Sequence, residues 1–234
     1  MGRLDFTSYF HLLLTGKEPT EDQRFFLDLL LIAIAEHGMM PTNIVARMTL
    51  AADPGSLHGA VAAGILGCGP VILGTAELCA RLLRDAEARV LKGANAAIIA
   101  EAMTIEMKAR GGRLPGFGHP VHKPLDPRAE RIVELARQRG IAGRHTALAL
   151  HFREAAAKVW GKPLTMNVSM PIAAVMLDLG FPSSMVKAIP ILARTASLLA
   201  HLAEEQQAPI GFHMAGSAEA AVSYRPPESG DADT

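Results

Sequence analysis

From Thr20 to Gln206 the chain is a succession of segments with helical spacing, separated by short glycine and proline breaks. That pattern leaves room for little besides an all-α fold. Pro19-Thr20-Glu21-Asp22 reads as a helix start, with Thr20 as cap and acids in the first turn. This helix is expected to end near Glu36, where His37-Gly38 supplies the break. A second helix covers about 42–52. The segment 56–66 is rich in alanine and glycine, which permits close helix packing, and Cys68-Gly69-Pro70 ends it. Amphipathic helices are expected over 75–91, 94–110, 127–139 and 142–160. An apolar buried helix follows over 167–179, another begins at 183–187, and 190–206 continues it. The segment 211–224 is ambiguous, and the tail 227–234 reads as disordered. Hydrophobic residues make up 50% of the chain and aromatics only 5%, the balance of helices packed closely through Ala, Leu, Ile and Met. Its 234 residues suffice for a good core in one or two domains.

Charge excludes some functions. Acidic and basic residues balance at 23 each, which leaves no electrostatic footprint for nucleic acid or an anionic membrane. Cys68 and Cys79 form no CxxC pair and fit buried thiols of a reducing cytosol. The opening Met1-Gly2-Arg3-Leu4-Asp5 lacks the apolar core of a signal peptide. The apolar run from Phe25 to Ala35 contains Asp28 and is too short for a bilayer. A cytoplasmic protein is expected.

The residues with most chemical content lie at 116–128, Gly-Phe-Gly-His-Pro-Val-His-Lys-Pro-Leu-Asp-Pro-Arg. Gly116 and Gly118 let backbone approach a ligand closely, and His119, a proton-transfer group, follows at once. Beyond a proline-stiffened turn comes Arg128, a planar donor suited to a carboxylate. By themselves these residues fit chemistry on a carboxylated substrate or a Gly/Pro turn with an incidental histidine. His119 and His122 suggest a metal pair, but Pro120 stands between them and no third ligand is near, so no metal is expected. Lys92-Gly93 and Gly111-Gly112-Arg113 lack the ending of a phosphate loop.

The segment closely resembles the GFGHRVYK…DPR stretch of the citrate synthase superfamily, which includes citrate and 2-methylcitrate synthases and citryl-CoA lyases. Further blocks resemble that family in the same order. Leu14-Thr15-Gly16 with Pro19-Thr20 is similar to its LTGxxPT opening, and Glu36-His37-Gly38-Met39 to its HGMN turn. Asn167-Val168-Ser169 stands where it usually reads Asn-Val-Asp. Leu179-Gly180-Phe181-Pro182 resembles its LGFP signature, and Ala193-Arg194-Thr195 through His201 its ARTxGWxAH helix.

The resemblance implies a large helical domain, 1–83 with 173–226, and an inserted smaller one, 84–172, that closes over it. It implies a homodimer or larger assembly, with coenzyme A as thioester substrate or product and a di- or tricarboxylate as the other small molecule. No nucleic acid, membrane or metal is implied. Carried over by position, His119 is the acid–base residue at the hydroxyl or carbonyl. His37, Arg128 and Arg194 bind substrate carboxylates, and His122 orients substrate or CoA. Gly116, Phe117, Gly118 and Lys123 meet the cofactor, and Arg225 is a candidate to reach a neighbouring subunit's substrate.

Two positions depart from the family. Ser169 replaces the catalytic aspartate, and a serine is no free base near neutrality, although it can donate a hydrogen bond or hold water. The motif that carries the enol histidine falls at Val71-Ile72-Leu73-Gly74, so Ile72 replaces that histidine. His58, in Leu57-His58-Gly59, is a decoy near a helix start. The short length and the Gly211-Phe212-His213 segment resemble the compact citryl-CoA lyase-like branch. A carbon–carbon lyase, or a related condensing transferase, is therefore expected. The alternative is a member of the fold that binds CoA or acyl-CoA without turnover.

Overall fold

The computed structural model describes residues 2–69, 72–119 and 121–224. Arg225, the tail 227–234 and the residues Pro70, Val71 and Pro120 lie outside the described residues. The described residues are helical, with no strand among them, as the periodicity implies. Packing divides the chain into two compact units, Met1–His37 with Cys68–Ala196, and Gly38–Gly67 with Ser197–Thr234. These boundaries differ from the expected ones, and the segment 84–172 lies wholly inside the first unit.

The first unit begins with α1 (Phe6–Thr15), a helix that the sequence periodicity does not predict. Its signals are local: the Asp5 side chain accepts from the Ser8 N–H, and Gly16 closes the helix in the left-handed conformation. The apolar residues run round α1 without a clear face. It buries Thr7, Ser8 and His11 and exposes Phe6 and Leu13, which obscures the periodicity.

α2 (Glu21–Ala35) starts at Thr20 with a capping box: Gln23 N–H donates to Thr20 Oγ1 at 3.2 Å, and Thr20 N–H to Gln23 Oε1 at 2.9 Å. α3 (Pro41–Ala52) and α4 (Leu57–Leu66) follow, then α5 (Thr75–Val90), α6 (Ala96–Ala109), α7 (Pro127–Gln138), α8 (Arg144–Trp160) and α9 (Ser169–Asp178). A short 3-10 turn at Ser183–Met185 leads into α10 (Ala188–Gln207), and the ambiguous end of the chain is α11 (Gly211–Ala221).

The centre of the first unit is α9. Its residues Met170 to Leu177 are all buried, and it packs against α2, α5, α7 and α8. α5 turns Cys79, Leu82, Leu83 and Ala86 inward, and α7 turns Ala129, Ile132, Val133 and Ala136 inward, each an i, i+3, i+4, i+7 stripe. The stretch Ser183–Gln207 is long and apolar enough to cross a membrane by length and composition, with 44% of its most apolar window buried inside the protein. Its Ile189, Ala193 and Arg194 are buried in the first unit, so it serves there as a core helix.

The second unit pairs α3 with α4 and sets α11 on α3, around Ala46, Leu50, Ala60, Leu198 and Leu202. Arg47 is buried between Glu204 and Glu205, and Glu205 Oε1 accepts the backbone N–H groups of Ile210 and Gly211. Gly211 has no alternative there, since a Cβ would stand 2.5 Å from that of Ala51.

One charged cluster ties α5, α8 and α9 together away from the GFGH loop. α8 has no cap of its own at Gly143, so Asp178 from the end of α9 supplies one. Its carboxylate accepts the N–H groups of Gly143, His145 and Thr146, each at 2.9 Å, and the Thr146 hydroxyl at 2.7 Å. His145 Nδ1 lies 2.9 Å from the same carboxylate. On the ring's other side, Nε2 lies 3.2 Å from Glu87 without the alignment of a hydrogen bond. Arg84 and Arg144 donate to Glu87.

Burial alone would push the His145 pKa down, but the hydrogen bond and charge of Asp178 and the charge of Glu87 outweigh it and raise it. Burial would raise Asp178 and Glu87, yet His145 and the other donors hold both below the usual carboxylate range. The contribution of His145 is complete below the ordinary histidine pKa and is lost as pH rises through the raised folded value. Those of the two acids are complete above their ordinary values and are lost as pH falls through the lowered ones. Stability is therefore expected to peak in mildly acidic solution, at roughly pH 5 to 6. Urea unfolding across pH checks this, and His145→Gln is expected to flatten the alkaline decline.

Candidate active site

The GFGH loop is built by backbone pairing that the motif alone does not reveal. Phe117 and Met166 form an isolated antiparallel bridge. Gly118 N–H donates to Thr165 O at 2.7 Å, and Asn167 N–H to Gly116 O at 2.8 Å. Asn167 Nδ2 donates to Gly118 O at 3.0 Å, while its Oδ1 accepts the Ser169 N–H at 3.1 Å. The loop of His119 is thus laced to the first residue of α9, where Ser169 stands half-buried. Gly116 is required: its φ is +79°, and a Cβ would meet Cys79 Sγ and Met170 Cβ at 2.8 Å each.

His119 is half-buried, and its Nδ1 accepts the backbone N–H groups of Val121 at 3.1 Å and His122 at 2.9 Å. A nitrogen that accepts carries no proton, so the neutral ring holds its proton on Nε2. Burial, then the neighbouring His122, Arg128 and His37, push its pKa down, and Asp126 only partly opposes them. Nε2 faces Arg128 Nη2 at 3.5 Å. Both atoms are donors and neither satisfies the other, so an oxygen set between them would accept from both.

The other predicted residues fall as follows. His37 stacks on His119 with centroids 6.0 Å apart, and His122 lies 4.5 Å away on a tilted ring. Arg128 does not stand free. Its Nε and Nη2 donate to Asp126 at 3.0 and 2.9 Å, and Nη1 reaches Ala33 O at 3.4 Å. Lys123 is exposed. His58 is exposed at the start of α4. Ile72 sits in the turn before α5, whose Thr75 and Leu78 line a cavity of about 680 Å³ beside the loop. Gly116, Phe117, Gly118 and His119 line the same cavity, with Asn167 and Arg113.

Sequence reasoning missed three residues here: Asp126, Asn167 and Arg113. Asp126 is fully buried, and its pKa is held down because the hydrogen bonds and charge of Arg128 outweigh burial. An aspartate before Pro-Arg is a helix-cap signal, and it does cap α7. The structure also supplies the third ligand that the sequence lacked: ligand atoms of His119, His122 and Asp126 lie within 4.8 Å of one another. Four N–H donors already engage the Asp126 carboxylate, and two engage His119 Nδ1, a poor fit for a cation.

Arg194 is 1% exposed, with Nη2 at 3.4 Å from Ile34 O. Its Nε and Nη1 have no hydrogen-bond partner among the described residues. Burial lowers its pKa against the opposing charge of Glu36. A buried cation so poorly paired destabilises the free protein and would be completed by an anionic ligand. Arg194→Met is therefore expected to raise stability by ~1 kcal/mol or more, and to weaken binding of an anionic ligand at least tenfold. Thermal unfolding and calorimetry on the same protein check both halves.

Comparison with known proteins agrees with these blocks. The family model for the C-terminal domain of citrate synthase matches residues 2–211. A citrate synthase of Heyndrickxia coagulans is 27% identical over 208 residues, 87% of this chain and 53% of that protein. One from Synechocystis sp. is 30% identical over 209 residues, 87% of this chain and 50% of that protein. The chain spans about half the length of these curated relatives. Among solved structures, the citryl-CoA lyase from Hydrogenobacter thermophilus superposes with a TM-score of 0.85 at 29% identity, covering 99% of this chain and 88% of that one. The ATP citrate lyase from Methanothrix soehngenii, in complex with citrate and coenzyme A, shares the fold at a TM-score of 0.78 and 21% identity, over 98% of this chain and 38% of that one.

Proposed function

This chain belongs to the citrate synthase family, and on that premise we propose that it is a citryl-CoA lyase-like enzyme. It cleaves, or forms, a carbon–carbon bond between a CoA thioester enolate and a keto acid. One arrangement carries the reading: His119 Nε2–H and Arg128 Nη2, both donors, stand 3.5 Å apart, where one oxygen can accept from both. The reacting oxygen of the substrate occupies it, as the hydroxyl of a 3-hydroxy-3-carboxyacyl-CoA or the carbonyl of the keto acid.

In condensation the enolate carbon attacks the keto carbon, and the carbonyl electron pair moves onto oxygen. His119 passes its Nε2 proton to that oxygen, while the two N–H donors on Nδ1 and the Arg128 cation support the electron-rich ring that results. Cleavage is the reverse and starts from the ring that has given its Nε2 proton to water: Nε2 takes the hydroxyl proton, the carbon–carbon bond breaks, and its electron pair enters the thioester enolate. Arg128 and Arg194 receive carboxylates, with His37 and His122 beside them. The cavity along Gly116–Gly118, with Arg113 at its wall, takes CoA. The lyase of the pair is favoured by the likeness to the Hydrogenobacter thermophilus enzyme over nearly its whole length.

Ser169 does not choose the direction, because a catalyst leaves the equilibrium unchanged. It slows proton exchange at the thioester α carbon, which then relies on water. That same substitution favours the second reading, a protein that binds CoA without turnover. Segment 84–172, which carries the loop, closes over substrate. The chain acts in the cytoplasm, and it forms a homodimer through α4, an apolar helix that buries only Ala60 and Gly64.

The test is an assay with citryl-CoA and related 3-hydroxy-3-carboxyacyl-CoA thioesters, following acyl-CoA products by mass. Product formation supports the lyase and names the acyl group. Absence of product from every thioester, with CoA still bound, leaves the binding protein.

A further inference from the structure

The geometry points to Asp126 as a positioning residue that sets Arg128 against His119 and ties that arginine to the Val168–Ser169 start of α9. Its carboxylate is fully buried and saturated. Oδ1 accepts the backbone N–H and Nε of Arg128 at 3.1 and 3.0 Å. Oδ2 accepts Arg128 Nη2 at 2.9 Å and the backbone N–H of Val168 at 3.1 Å.

These bonds have two consequences. They consume the Nε/Nη2 edge of the guanidinium, the edge that would otherwise grip a carboxylate as a fork, and leave only its Nη1/Nη2 end for a ligand. They also fix the plane of the guanidinium, so Nη2 cannot rotate away from the donor of His119 that it faces at 3.5 Å. Because Oδ2 is shared, the arginine and the first turn of α9 hold one register. Asp126 touches neither the reacting atoms nor a ligand. It acts through Arg128 and Val168.

The part of this inference that concerns substrate rests on the reading of Arg128 as a carboxylate site, and the experiment separates the two. In ligand-free protein, nitrogen-15 NMR of the arginine side chains is expected to show a protected Arg128 Nε–H. In Asp126→Asn that protection falls, because one amide oxygen cannot serve four N–H groups: the amide donor displaces either the pair held by Oδ1, which includes Nε, or the pair held by Oδ2 that keeps the guanidinium in place. Asp126→Ser, which keeps a helix cap while removing the charge, serves as a second variant should the first fold poorly. Citrate and CoA binding are then measured by calorimetry. Citrate affinity is expected to fall roughly tenfold or more, the scale of a charge-assisted hydrogen bond, with CoA affinity changed less than about twofold. In an Arg128→Gln background, Asp126→Asn is expected to add little further loss, since both act through one contact.

An Arg128 Nε–H as protected in the folded variants as in wild type would overturn the positioning role. So would equal losses for citrate and CoA, or losses that add fully to those of Arg128→Gln. If wild type binds no citrate while the Nε–H still loses protection, the positioning role holds and the carboxylate reading fails.

Discussion

His119→Asn is expected to lower turnover of a cleaved thioester by roughly 10² to 10⁴-fold, the usual span for losing a positioned acid–base group. Asparagine is the informative replacement because its Oδ1 can still accept the Val121 and His122 N–H groups that Nδ1 now holds. The loop keeps its shape, and only the Nε2 donor disappears. CoA affinity is expected to change by less than about twofold, since the backbone of Gly116–Gly118 that lines the cavity is retained. A fall in kcat with KM little changed would identify a group used in the transition state. His119→Gln, whose longer amide reaches toward the Nε2 position, is expected to keep part of the rate. The pH profile supplies a second check. The pKa of His119 is lowered, so the neutral, competent ring persists into more acidic solution than an ordinary histidine would allow. The acid limb of kcat/KM is therefore expected below the usual histidine range, and a limb at or above that range would contradict the assignment.

The second large effect concerns stability. Asp178→Ala is expected to cost about 3–5 kcal/mol, the range for removing one partner of a buried ion pair. The alanine leaves three backbone N–H groups at the start of α8 without an acceptor and leaves the His145 ring facing Glu87 alone. Asp178→Asn keeps an acceptor for part of that set and is expected to lose less. Urea unfolding at the pH of maximal stability measures both. A loss under about 1 kcal/mol for the alanine variant would show that water replaces the carboxylate without penalty. Because the cluster lies away from the GFGH loop, the folded fraction of either variant is expected to bind CoA as wild type does.

The helices from α2 to α10 are legible in the chain because their signals are local. Thr20 with Gln23, Asp126 before Pro127-Arg128, and the inward stripes of α5 and α7 each act within a turn or two of backbone. α1 escaped because its apolar residues run round the helix, Phe10 inward and Phe6 and Leu13 outward, while Thr7, Ser8 and His11 face in, so periodicity pointed nowhere. The packing units escaped for a related reason. The first core draws on residues from Phe26 to Ala193, and no composition shift marks where one set of contacts stops.

Motif order by itself determined the family, periodicity the helical class, and the motifs named His119, Arg128, Arg194 and Ser169 as candidates. It could not determine their states. That His119 Nδ1 accepts two backbone N–H groups, that Asp126 claims one edge of Arg128, and that Arg194 lies buried with two nitrogens unpaired among the described residues were decided only by the tertiary structure. The physical reason is that caps and amphipathic stripes act between near neighbours in the chain, whereas desolvation and hydrogen-bond partnership act through space.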